Sequence, residues 1–95
     1  MTIGDSVLLE AHNLIKGQKR EEYGDAERGM TMIAEQWTLY LQQKYGLQTH
    51  ILAEDVCWMM TDLKKVRQTI NSKRDNIVDA AGYIGLIQMV SDEEM

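Results

Sequence analysis

Residues 53–70 read AEDVCWMMTDLKKVRQTI. Their apolar members Val56, Met59, Met60, Leu63, Val66 and Ile70 recur three and four apart, the period of a helix rather than the alternation of a strand. Glu54 and Asp55 stand in the first turn, with Lys64, Lys65 and Arg67 toward the end, the charge order that a helix dipole favours. A helix is therefore expected over 52–71, with the six apolar residues facing a core. Cys57 lies inside the segment between Val56 and Trp58. With no second cysteine in the chain it reads as a reduced, buried thiol rather than a nucleophile or a metal ligand.

The same period extends to both sides. Downstream, NSKRD is a polar break, and DNIVDAAGYIGLIQMV predicts a helix over 75–90 starting at Asp75 or Asn76. Ile77, Val78, Ala81, Ile84, Leu86 and Ile87 are its apolar positions. Gly82 and Gly85 within it each cost about 1 kcal/mol relative to alanine, which suggests close approach of another helix. Residues 91–95 are expected to fray.

Upstream, an Asp25 cap opens a helix over 25–45 with Met30, Ile33, Ala34, Trp37, Tyr40 and Leu41 inward and Glu27, Glu35, Gln42 and Lys44 outward. Gly46 ends it. A first helix over 5–17, capped by Asp5 or Ser6 and stopped by Gly17, carries the stripe Val7, Leu8, Ala11, Leu14 and Ile15. The polar stretch QKREEYGD connects these two helices.

The expected fold is all-α: one domain over residues 1–95, a compact bundle of about four helices. Ninety-five residues bury only a thin core, and the helices are apolar enough that association into a homo-oligomer is expected to complete it, through the glycine- and alanine-containing last helix.

Fifteen acidic against ten basic residues leave a net charge of −5, which argues against a duplex nucleic acid as partner, since that affinity comes from clustered cations. No segment is long and apolar enough to span a membrane. MTIGDSVLLEAHNLIKG places an acid before a short apolar run and offers no small-residue cleavage site, so it does not read as a secretory signal; a cytoplasmic protein with no membrane partner is expected. His12 and His50 have no second histidine or cysteine at metal-ligand spacing. Glycine-loop, dinucleotide-binding and nucleophile-triad motifs are also missing.

Two groups of residues carry candidate chemistry. Asp75, Asp79 and Tyr83 are four apart and share one helix face, while Lys64 and Arg67 share a face of the preceding helix. If these two helices pack antiparallel, the cations approach the aspartates. The carboxylates then hold a hydrated magnesium ion, bind ribose hydroxyls, or simply pair with the cations in a structural salt-bridge network. The second group is Arg20 and Tyr23 in RxxYGD, where arginine can fork onto a phosphate and tyrosine can stack on a base, or Arg20 answers its acidic neighbours on a solvated loop. Trp37 and Trp58 read as core residues rather than base platforms.

The succession RxxYGD, IAEQW, EDVCWMMTDLKKVR and RDNIVDAAGY, over about 20–89, resembles a family of small phage and prophage proteins of unknown function that is distantly similar to the MazG-like all-α nucleotide pyrophosphatases. Those enzymes use an ExxE pair and an ExxD pair to bind magnesium. The resemblance places Asp75 and Asp79 near the second pair, spaced by four rather than three, while the first pair has no counterpart and Lys64 and Arg67 stand where acids would be expected. It thus implies a phage-type protein that holds a phosphorylated nucleoside without turnover and without a cofactor. The implied ligand-binding residues are Arg20, Tyr23, Lys64, Arg67, Asp75, Asn76, Asp79 and Tyr83. A host antiphage nucleotide signal, either a cyclic oligonucleotide or an ADP-ribose derivative, is one such ligand. The alternatives are a divergent magnesium-dependent nucleotide pyrophosphohydrolase using Asp75 and Asp79 with Glu54 or Asp55, and an adaptor that binds a host protein through its apolar surface.

Overall fold

The computed structural model describes the backbone of residues 3–16 and 26–94, and side chains for residues 7–14 and 26–91. Four helices make up these residues: α1 (Ile3–Lys16), α2 (Ala26–Tyr45), α3 (Ala53–Ile70) and α4 (Arg74–Glu94). The all-α bundle expected from the apolar period is what the chain forms. The expected caps and stops at Asp25 and Gly17 lie outside the described residues. Helix α1 begins at Ile3, so Asp5 and Ser6 fall within its first turn rather than at its cap.

Helix α4 is the centre of the bundle. Its N-terminal half presents Val78 to Val7 and Ala11 of α1, with Leu14 and Ala81 packed alongside. Its C-terminal half buries Leu86 and Val90 against Ala53 and Cys57 of α3. The α3–α4 contact is the most extensive in the fold, and it is antiparallel: Glu54 meets Ser91 at one end and Lys64 meets Asp79 nearer the other. Cys57 is a buried free thiol, as expected.

Two local devices fix the α2–α3 connection. Gly46 takes the left-handed conformation at φ 66° and donates its N–H to the Gln42 carbonyl at 3.0 Å, stopping α2 where expected. The buried Thr38 hydroxyl accepts the Ile51 N–H at 2.8 Å and donates to the Ala34 carbonyl at 2.8 Å. Asp55 then accepts the Leu52 N–H at 2.8 Å, closing the first turn of α3.

The core differs from the expected one in a consistent way. On α3 the buried seam is Ala53, Val56 and Cys57, continued by the half-buried Met60 and Lys64. It is rotated by about one residue, roughly 100°, from the expected stripe. Met59, Leu63, Val66 and Ile70 consequently face outward, Ile70 at 80 % exposure. Leu8, Tyr40, Ile77, Ile84 and Trp58 are likewise exposed rather than core, while Glu27, expected outside, is 3 % exposed. The cause is geometric: with principal extents of 50 × 31 × 21 Å the bundle is thin, and α3 buries chiefly the narrow seam it presents to α4, its most extensive partner.

Two expectations for α4 are corrected. The helix runs through 91–94 instead of fraying after 90, with Ser91 donating its hydroxyl proton to Glu54 Oε1 at 2.5 Å. Gly82 is not pressed by a neighbouring helix, because a Cβ there would meet nothing within 4 Å.

Candidate functional site

The antiparallel α3–α4 pair brings the C-terminal end of one helix beside the N-terminal end of the next. A groove of about 410 Å³ opens there, lined by Lys64, Arg67, Ile70 and Asn71 from α3 and its end, Lys73 from the turn, and Asp75, Asn76 and Asp79 from α4. Five of the sequence-derived site residues, Lys64, Arg67, Asp75, Asn76 and Asp79, thus meet in one place. Tyr83 does not: it lines a neighbouring cavity of about 390 Å³. Arg20 and Tyr23 lie outside the described residues.

The turn that shapes the groove is locked by side chains. Gln68 Oε1 accepts the Lys73 N–H at 2.9 Å and the Asn76 Nδ2 at 3.3 Å, while its own amide donates to Ser72 Oγ at 2.9 Å. Asn76 Nδ2 also donates to the Asn71 carbonyl at 3.2 Å, and the Asn76 N–H to the Lys73 carbonyl at 3.1 Å. Asn76 is therefore buried in the floor, with its donor spent on the turn. Pairing of this kind satisfies backbone groups that a three-residue connection would otherwise leave open. Gln68 and Lys73 were missed by sequence reasoning; Lys73 was visible as a cation directly before α4, whereas Gln68 carried no signal.

The charges are unequal. Lys64, Arg67 and Lys73 give three positive groups against the two carboxylates Asp75 and Asp79, leaving one net positive charge in a chain whose total is −5. Lys64 Nζ pairs with Asp79 Oδ2 at 2.8 Å, so cation and aspartate approach across the seam as the antiparallel packing required. Among the described residues no carboxylate lies within ion-pair distance of Arg67 or Lys73. Arg74, the second cation of the KR dipeptide, is turned away and pairs with Glu10 of α1. Cationic donors not held by a carboxylate, as at Arg67 and Lys73, are the ones that recognise phosphate and carboxylate oxygens.

The acids required by the hydrolytic alternative are not assembled. Glu54 pairs with Ser91, twelve residues or about 18 Å along α4 from Asp79, and Asp55 is engaged with the Leu52 N–H. No group of three or more histidine, cysteine, aspartate or glutamate side chains among the described residues can hold a metal ion. Asp75 and Asp79, the latter tied to Lys64, do not fit a magnesium cage of several converging carboxylates.

Two further features of the surface stand apart from the groove. Met59 joins Trp37, Tyr40, Leu41 and Ile51 in an apolar hollow between α2 and α3, and the stripe Met59, Leu63, Val66 and Ile70 continues along α3 from it. Trp37 is half-buried there. No helix among the described residues is long and apolar enough to cross a membrane.

Residues 6–91 match a family described as Domain of unknown function (DUF6378). The chain belongs to this family. The chain is similar to the Gene 55 protein of Mycobacterium phage L5, 38 % identical over 84 residues, which cover 87 % of this chain and 51 % of that protein. The Gene 55 protein of Mycobacterium phage D29 is 29 % identical over 92 residues, covering 96 % of this chain and 57 % of that protein. The DUF6378 chain described here thus spans just over half the length of these phage relatives. No solved structure gives a significant match to it.

Proposed function

We propose that this DUF6378 chain is a phage-type binding protein that holds a phosphorylated nucleoside in the α3–α4 groove and does not turn it over. One observation carries the reading: Lys64, Arg67 and Lys73 converge on one groove, and two of them have no carboxylate partner among the described residues. Arg67 forks onto phosphate oxygens, Lys73 and Lys64 add point charges, and Asp75 and Asp79 face ribose hydroxyls. The distant MazG similarity and a role in sequestering a host antiphage nucleotide signal, a cyclic oligonucleotide or ADP-ribose derivative, belong to the same proposal. The phage relatives favour the phage-type part of the reading, and the groove is of nucleotide size. A thermal-shift panel of nucleoside triphosphates, cyclic nucleotides and ADP-ribose derivatives tests the proposal, since a ligand of the folded state raises the melting temperature by mass action. No shift with any of them, at millimolar concentration, would refute it.

Self-association is part of this reading. The exposed stripe Met59, Leu63, Val66 and Ile70 follows a four-three-four spacing, with Asp62 on one flank and Arg67 on the other. A second copy docked on α3 covers this stripe and brings the groove to the boundary between subunits.

A further inference from the structure

Gly82 is buried in the middle of α4, yet the Cβ it lacks would meet no atom within 4 Å. A buried helical glycine ordinarily marks the close approach of a neighbour, and here there is none. What lies in front of it is the cavity of about 390 Å³, walled by Leu14 of α1, Ala26 and Met30 of α2, and Tyr83 and Leu86 of α4. Asp79, one turn before Tyr83, lines both this cavity and the cationic groove, so the two share a wall and a carboxylate.

We infer that the Gly82 cavity is the ring subsite of a nucleotide whose phosphates occupy the groove. This inference rests on the phosphate reading above and adds to it the class of ligand: an aromatic base rather than a bare polyphosphate. The cavity has the chemistry for a flat apolar ring. Met30 supplies a polarizable thioether, which favours aromatic contact, Tyr83 supplies a face for stacking, and the remaining walls are aliphatic. Its volume falls within the usual range for small-molecule sites. Asp79 stands between ring and phosphates, where the sugar of a nucleotide would lie, with a carboxylate suited to accept from hydroxyls. Any side chain at position 82 would project into the volume the ring needs.

The test compares sodium tripolyphosphate with the four ribonucleoside triphosphates by titration calorimetry, on the wild type and on Gly82→Leu. At least one triphosphate should bind wild type about tenfold more tightly than tripolyphosphate, the scale of one base stacking on an aromatic side chain. Gly82→Leu should erase that advantage and leave tripolyphosphate affinity unchanged. Gly82→Ala, a better helix former than glycine, stands in if leucine prevents folding, and should lose part of the advantage. The inference is overturned if no triphosphate exceeds tripolyphosphate, or if the advantage survives in a folded Gly82→Leu or, failing that, intact in Gly82→Ala. Failure of the groove reading looks different and removes this inference with it: tripolyphosphate itself then fails to bind wild type, or binds Arg67→Ala equally well.

Discussion

Lys64 Nζ and Asp79 Oδ2 meet at 2.8 Å across the α3–α4 seam, the lysine side chain 13 % and the aspartate 37 % exposed. A pair this open to solvent contributes little to stability, about 1 kcal/mol or less. Its importance is that Asp79 competes with any anionic ligand for Lys64. Asp79→Asn should therefore tighten tripolyphosphate binding by up to about fivefold, the limit set by one weak ion pair, with a shift in urea midpoint too small to threaten the fold. Calorimetry on this variant gives the answer directly; weaker tripolyphosphate binding would mean that Asp79 holds Lys64 in place for phosphate rather than competing for it.

That seam was legible before the structure. The helical period of residues 53–70, the aspartates four apart in DNIVD and the cations on one face of α3 were enough to expect four helices and, on the condition of antiparallel packing, an approach of the α3 cations to the aspartates. What could not be read was which side of each helix would be covered. The apolar residues of α3 nearly encircle it, so Val56 and Met59 are equally good core candidates by periodicity. Only the position of α4 decides that Cys57 goes inside and Leu63 stays out. Gln68 and Thr38 were silent for a related reason: a polar side chain in a helix signals solvent until the backbone group it satisfies, here the N–H of Lys73 or Ile51, is seen beside it.

Thr38 ties two elements together through one hydroxyl. Thr38→Val keeps the shape and leaves the Ile51 N–H without its acceptor, which should cost about 1–3 kcal/mol. Urea unfolding followed by far-UV circular dichroism measures it, and hydrogen exchange at Ile51 should quicken. An unchanged exchange rate at that amide would show that the hydroxyl is dispensable.

Val90 has no exposed surface and belongs to the cluster that anchors the end of α4 on Ala53 and Cys57. Val90→Ala should destabilise the protein by about 1–3 kcal/mol through lost burial and the cavity left behind. A neutral result would mean that Val90 does not pack against Ala53 and Cys57.

The stripe on α3 makes a separate prediction about assembly. Sedimentation velocity of wild-type protein at micromolar concentration should show a dimer or larger species. Leu63→Glu, at a position already 42 % exposed within one chain, should give a monomer that remains helical, because it places a charge in the seam between copies without disturbing the intrachain core. A monomeric wild type would leave the stripe without the proposed partner.

The central claim is that the α3–α4 groove holds phosphate, and Arg67 is its sharpest test. Its guanidinium has no carboxylate partner among the described residues, so Arg67→Ala should leave the helical signal intact. A charged hydrogen bond contributes about 1.5–3 kcal/mol, which converts to a loss of about tenfold to a hundredfold in affinity. Titration calorimetry of sodium tripolyphosphate into wild type and Arg67→Ala at low ionic strength is the measurement. Saturable binding by wild type with at least a tenfold loss in the variant is the predicted result; equal affinity in the two proteins, or no binding by either, would contradict it.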